Sequence, residues 1–226
     1  MTQTVSEFIF FKVKPSVKPE DPDSEEGAEF LRLMQTVKHQ SGYQSSSWGR
    51  TVEDENTIAW VVDWSDARGA SHANKLFPGF IQNGTEVLTL YVTLTPPNSE
   101  TDALSTNPVT EICALSFPSS MTPDDLLKLN ADLINFRTAL MERLPPSSRP
   151  KSWATGYMNR PGTLEHKGSP SGHATVHVLA VGWESVEAHR AARETKEFAE
   201  SIKPIRQRAL ALAQGLGMKH VTFRKL

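Results

Sequence analysis

Two tryptophan–histidine pairs carry the chemistry that this chain announces first. Trp64 is followed eight residues later by His72, and Trp183 six residues later by His189. An imidazole titrates near neutrality, so one held beside an indole could take a phenolic proton or orient a substrate. His72 lies in Ser71-His72-Ala73-Asn74-Lys75, which reads equally as a solvent-facing helix. His189 is flanked by Arg190 and has Arg193 one turn further on. Positive charge there would favour the neutral imidazole and could bind an acidic substrate. A surface helix face is again the structural alternative.

Other residue types suggest pocket walls. Trp64 and Trp183 read first as packing anchors, because an indole is a large apolar group before it is a reagent. Trp48-Gly49-Arg50 and Trp153-Ala154-Thr155-Gly156-Tyr157 place glycine inside strands, where a ligand or another backbone often comes close. Trp48, Arg50, Trp153 and Tyr157 are therefore candidate substrate-binding residues, and Tyr43 joins the aromatic set of the first half. His173 and His177 are four apart on a strand, about 13 Å at ~3.3 Å per residue, too far to share one metal ion. His177 could still line a pocket. Glu7 and Glu111 begin matching strands. A buried carboxylate there would be a candidate base, but a strand end is expected to be solvated. Cys113 sits mid-strand and reads as a small buried hydrophobe.

Composition narrows the classes. Lys plus Arg total 24 and Asp plus Glu 26, a net charge of -2 that gives no reason to expect nucleic acid or an anionic membrane as partner. One cysteine excludes an internal disulfide and any multi-cysteine metal site. There is no Walker loop, no complete dinucleotide fingerprint (Gly215-Leu216-Gly217 lacks the third glycine) and no Gly-x-Ser-x-Gly elbow. No cofactor and no metal are expected. Met1 to Glu7 has neither the basic nor the apolar region of a signal peptide, and the apolar runs are strand-sized. A cytoplasmic, reducing compartment is expected. Asn83-Gly84-Thr85 reads as a turn and Arg224-Lys225-Leu226 as a strand end.

The elements that must position these residues repeat. In the first half, Glu7 to Val13 is a strand. Ser24-Glu25-Glu26 caps a helix carrying Phe30, Leu33, Met34 and Val37. Tyr43 to Thr51 and Thr57 to Trp64 form a hairpin, a short helix runs from Asp66 to Leu76, and Glu86 to Leu94 is a strand. In the second half, Val109 to Phe117 is a strand. Thr122-Pro123-Asp124-Asp125 starts a helix whose stripe is Leu126, Leu129, Leu133, Phe136, Leu140 and Leu144. Strands Ser152 to Asn159 and Ala174 to Trp183, a helix from Val186 to Ser201, another starting at Pro204, and strand Met218 to Phe223 follow. The order is β-α-β-β-α-β twice, the split βαβ pattern. Residues 1–97 form the first repeat, 98–108 a polar linker and 109–226 the second.

Nearly continuous apolar strands such as Ile58 to Val62 and Val176 to Val181 call for a sheet covered on both faces. With the tandem repeat, this resembles the dimeric α+β barrel superfamily in its fused form. The tryptophan ending the third strand, followed by a helix with histidine (Trp64…His72, Trp183…His189), is similar to the antibiotic-biosynthesis monooxygenase branch and its fungal tandem members. The resemblance implies two ferredoxin-like α+β repeats related by a pseudo-twofold with their sheets facing. It also implies a pocket for a small hydrophobic, aromatic or polyketide-like metabolite. The expected chemistry is cofactor-independent oxygenation, cyclisation or decarboxylation, with His72 or His189 moving the proton. The alternative is a non-catalytic binding or stress-response protein of the same fold. Haem-degrading relatives use an asparagine on the first strand, where this chain has Glu7 and Glu111, so haem is not expected. The implied assembly is a monomer with an internal pseudo-dimer, or a homodimer.

Overall fold

The computed structural model describes residues 4–65, 77–213 and 215–226. The expected helix over 66–76, with His72, lies outside them. The chain divides into two compact units: Met1–Thr106 with Val221–Leu226, and Asn107–His220.

In the first unit, β1 (Val5–Lys12), β2 (Tyr43–Arg50), β3 (Thr57–Trp64), β4 (Leu88–Val92) and the C-terminal β10 (Arg224–Lys225) make one sheet in the order β10-β2-β3-β1-β4. The neighbouring strands run antiparallel. Ile9 pairs with Trp60, and Trp60 with Trp48, so these side chains share a face. On it pack Phe30 and Met34 of α1 (Glu25–Gln35), together with Phe77. Ser24 caps α1 by accepting from the Gly27 N–H at 3.0 Å. The opposite face, with Phe8, Ala59 and Val61, is buried as well. Trp48 shares β2 with Gly49, where a Cβ would stand 2.3 Å from the Thr222 carbonyl oxygen. That glycine lets the C-terminal segment lie against β2, where Arg224 pairs with Trp48.

The polar stretch read as a linker is structured. It forms two short helical turns, α2 (Asn98–Thr101) and α3 (Ala103–Thr106). Asn98 is buried, donates to Asp63 Oδ2 at 2.8 Å and accepts from the Leu104 N–H at 3.1 Å. Asp63, itself buried, also accepts from Ser6 and Ser45 at 2.6 Å each. Asn98 thus helps to satisfy a buried carboxylate.

In the second unit, β5 (Val109–Pro118), β6 (Ser152–Tyr157), β8 (His173–Trp183) and β9 (Lys219–Val221) are ordered β6-β8-β5-β9, with β7 (Leu164–Glu165) added to β8. Helices α4 (Pro123–Thr138), α5 (Val186–Arg193) and α6 (Lys196–Arg208) follow the expected positions with four differences. Leu126, placed in the apolar stripe, is exposed; Leu129, Leu133 and Phe136 are buried. The stripe continues through a π-helical turn, Ala139–Arg143, to Leu144. The expected helix from 186 to 201 is instead two helices, because Thr195 accepts from the Phe198 N–H and caps a new one. Pro204 lies inside that helix rather than starting one.

Candidate active site

Glu111 faces Val181 across the β5–β8 ladder and Val109 faces Trp183, which puts Glu111 and Trp183 on one face of the sheet. Trp183 Nε1 donates to Glu111 Oε2 at 3.1 Å. Immediately after Trp183 the chain turns into α5, capped by Ser185 on the Ala188 N–H. The first turn of α5 brings His189 back over the indole, with ring centroids 4.8 Å apart and planes inclined by 21°. His189 Nε2 is 3.3 Å from Glu111 Oε2, and Nδ1 is 2.8 Å from His220 Nε2 on β9.

A carboxylate only accepts, so Trp183 Nε1–H donates to Glu111, and His189 turns its Nε2 towards the same oxygen at 3.3 Å. His189 Nδ1 and His220 Nε2 share one hydrogen bond, in which the tautomers of the two rings set the donor. His189 is 1% exposed, His220 3% and Glu111 8%. Burial pushes His189 down to about 3, and positive charge from His220, Arg193 and Arg190 adds to it. The imidazole is therefore neutral at physiological pH. The alternative of a surface helix face does not hold: Val186 to Arg193 is amphipathic, and His189 lies on its inner side.

Glu111, Cys113 and His189 open on a cavity of about 540 Å³ whose apolar lining includes Phe136, Leu179, Phe198 and Ile202. Burial first, then Glu111, pushes the Cys113 thiol up to about 12, so it is no nucleophile. A second cavity of about 210 Å³ is lined by Trp153, Thr155, His177 and Leu179 with Leu133 and Asn130 of α4. There His177 Nε2 bonds Thr155 Oγ1, and burial holds the ring down at about 4. Tyr157 donates to Asn130 Oδ1 at 2.7 Å, meets His177 edge-on at 4.5 Å, and is pushed up to about 12 by burial.

The first unit repeats half of this arrangement. Trp64 Nε1 donates to Glu7 Oε2 at 2.9 Å, and Tyr91 donates to Oε1 at 3.0 Å. Tyr43 stands edge-on to Trp64 at 6.4 Å, with its hydroxyl 3.1 Å from Ser46 Oγ. Trp48 is a core residue. Arg50 holds the loop before α1, bonding Glu20 at 2.6 Å, the Val17 carbonyl at 2.7 Å and the Glu55 carbonyl.

The sequence-predicted residues thus divide into separate places. His189 and Trp183 come together. Trp153, Tyr157 and His177 gather around the smaller cavity. Tyr43 and Trp64 meet in the first unit, and Arg50 serves the loop. Glu7 and Glu111, expected at solvated strand ends, are buried; the signal available was that each shares a matching position with a tryptophan. Nothing in the sequence pointed to His220. Among the described residues, no group of three or more His, Cys, Asp or Glu is arranged to hold a metal ion, and no helix is long and apolar enough to cross a membrane.

No family model and no curated protein matches the chain. Solved structures do. An anthrone oxidase-like protein superposes with a TM-score of 0.59 at 13% identity, over 100% of this chain and 94% of that one. A candidate monooxygenase from Lactobacillus acidophilus gives 0.54 at 9% identity, over 98% and 94%. A candidate chlorite dismutase gives 0.56 at 8% identity, over 99% and 95%. The chain shares the fold of these proteins. At these identities the likeness is one of fold alone, and the site must be argued from its own geometry.

Two histidines kept neutral by burial make stability depend on pH. Unfolded, each titrates near 6.5; folded, His189 lies at about 3 and His177 at about 4. The unfolded chain therefore binds more protons below pH 6.5, so stability is full above that value and is lost as pH falls towards the folded values. Between pH 7 and pH 5 each histidine should remove about 2 kcal/mol. Urea unfolding at the two pH values checks this: wild type should lose more than His177→Phe over the same interval.

Proposed function

We propose that the protein is a cofactor-independent enzyme that takes a proton from a small hydrophobic, aromatic or polyketide-like metabolite bound in the larger cavity of the second unit. One observation carries the reading: a carboxylate that accepts the Trp183 N–H and stands 3.3 Å from the His189 ring lies on the wall of a largely apolar cavity. Glu111 is the base. Both ring nitrogens of His189 are engaged, so it works as a positioning residue and not as the group that meets substrate. This revises the expectation that histidine itself moves the proton. Trp183 and His189 fix the carboxylate in place, and the apolar wall excludes water from the anion that forms.

Oxygenation is the favoured outcome, in keeping with a fold that an anthrone oxidase-like protein shares. For an anthrone, one methylene proton passes to Glu111 and the electron pair delocalises into the ring carbonyl. Dioxygen adds at that carbon, which becomes a second carbonyl. The other oxygen atom leaves as water with both methylene hydrogens. Each unit is read as a ferredoxin-like repeat, supported by the matching strand orders β2-β3-β1-β4 and β6-β8-β5-β9.

Anthrone itself is the probe. In deuterated buffer without oxygen, the protein should speed exchange of the methylene protons, followed by proton NMR; with air, it should accelerate oxygen uptake. Binding of anthrone with exchange at the buffer rate would overturn the enzyme reading and leave a binding protein.

A further inference from the structure

The cavity of the second unit has a cationic mouth that proton abstraction does not use. Arg193 on α5 and Arg206 on α6 both line it, and both are exposed. Neighbouring arginines on the same helices are occupied: Arg190 lies 4.0 Å from Glu187, and Arg208 is bonded to Asp132. Among the described residues, no hydrogen bond or ion pair engages the guanidinium of Arg193 or Arg206. His189 and Arg193 are one turn apart on α5, so imidazole and guanidinium serve the same cavity. The charge reaches the interior: Arg193, Arg206 and Lys219 all draw the Cys113 thiol down, against burial and Glu111. Lys219 is itself held by the carbonyls of Gly215 and Gly217. The opposing charge, Glu111, already accepts the Trp183 indole N–H.

We infer that the cavity takes an aromatic acid, whose carboxylate is held at the mouth by Arg193 and Arg206 and whose ring lies against Phe136, Leu179, Phe198 and Ile202. A guanidinium presents parallel N–H donors that match a carboxylate, and a partly apolar setting strengthens the pairing. The inference rests on the cavity being the substrate site proposed above, and it narrows that substrate to an anion.

The test compares two probes of nearly equal shape, 2-naphthoate and 2-naphthamide, by calorimetric titration of the full chain. At low ionic strength naphthoate should bind at least about tenfold tighter, an advantage that shrinks as salt is added. The double variant Arg193→Gln, Arg206→Gln should bind both probes alike and leave the naphthamide affinity unchanged. Both arginines are exposed, so its melting should match wild type. Equal binding by the wild type, binding of neither probe, or a preference that survives in the double variant would overturn the inference. The readout is binding alone. A chain that prefers naphthoate but exchanges no anthrone protons keeps the acid site and loses the enzyme reading; the reverse result keeps the enzyme and removes the acid specificity.

Discussion

Glu111→Gln should lower turnover by about 10²–10⁴-fold, the usual cost of removing a positioned general base. The loss should fall on kcat, with KM little changed, because the amide retains the shape of the carboxylate at the cavity wall. Folding should survive. The glutamine oxygen can take the place of Oε2, which faces both Trp183 and His189, and accept from Trp183 Nε1–H as the carboxylate does. His189→Ala is a different experiment from the one the sequence suggested. An exposed helix histidine would cost no more than about 0.5 kcal/mol. Here the ring is stacked on Trp183, hydrogen-bonded to His220 and 3.3 Å from Glu111, so its removal should cost about 2–4 kcal/mol through a cavity and the lost contacts. Chemical denaturation and anthrone turnover, measured on both variants, separate the roles. If Glu111→Gln kept full activity, the assignment of the base would be wrong.

Trp183→Ala should lose about 3–5 kcal/mol of stability, the cost of truncating a large core aromatic. Three terms combine. The indole is 1% exposed and packs in the core under α4, α5 and α6. Its N–H supports the Glu111 carboxylate at 3.1 Å. Its face carries the His189 ring. Trp183→Phe restores most of the apolar bulk and removes only the N–H, so it should cost about 1–3 kcal/mol and lower activity more than it lowers stability. Trp64→Ala should be as costly in stability, since that indole is equally buried over Glu7. Denaturant midpoints for the three variants decide the matter. A loss below about 1 kcal/mol for Trp183→Ala would mean that the ring is not a core anchor.

Local chemistry made the elements legible. Ser24 and Thr122 cap their helices as their sequences require, and Thr122-Pro123 with two acids in the first turn is a start signal that needs no tertiary partner. The nearly continuous apolar runs of β3 and β8 announced sheets buried on both faces, because only such strands lack polar alternation. The equivalence of Glu7–Trp64 and Glu111–Trp183 was also written in the sequence, although its meaning was not.

Tertiary structure decided whether those groups are reagents or surface. A glutamate at a strand end is solvated or buried according to what packs over it, and here an indole on the neighbouring strand reaches back to bind it. His189 faces inward because Ser185 sets where α5 begins, and a helix begun one residue earlier or later would rotate that ring by about 100°. His220 meets His189 across 31 residues of chain, a separation over which no local pattern operates. The sequence by itself determined the repeated elements and the residue types that could do chemistry. Only the fold brought an indole, a carboxylate and two imidazoles into one contiguous row, because such contacts depend on long-range packing and not on spacing along the chain.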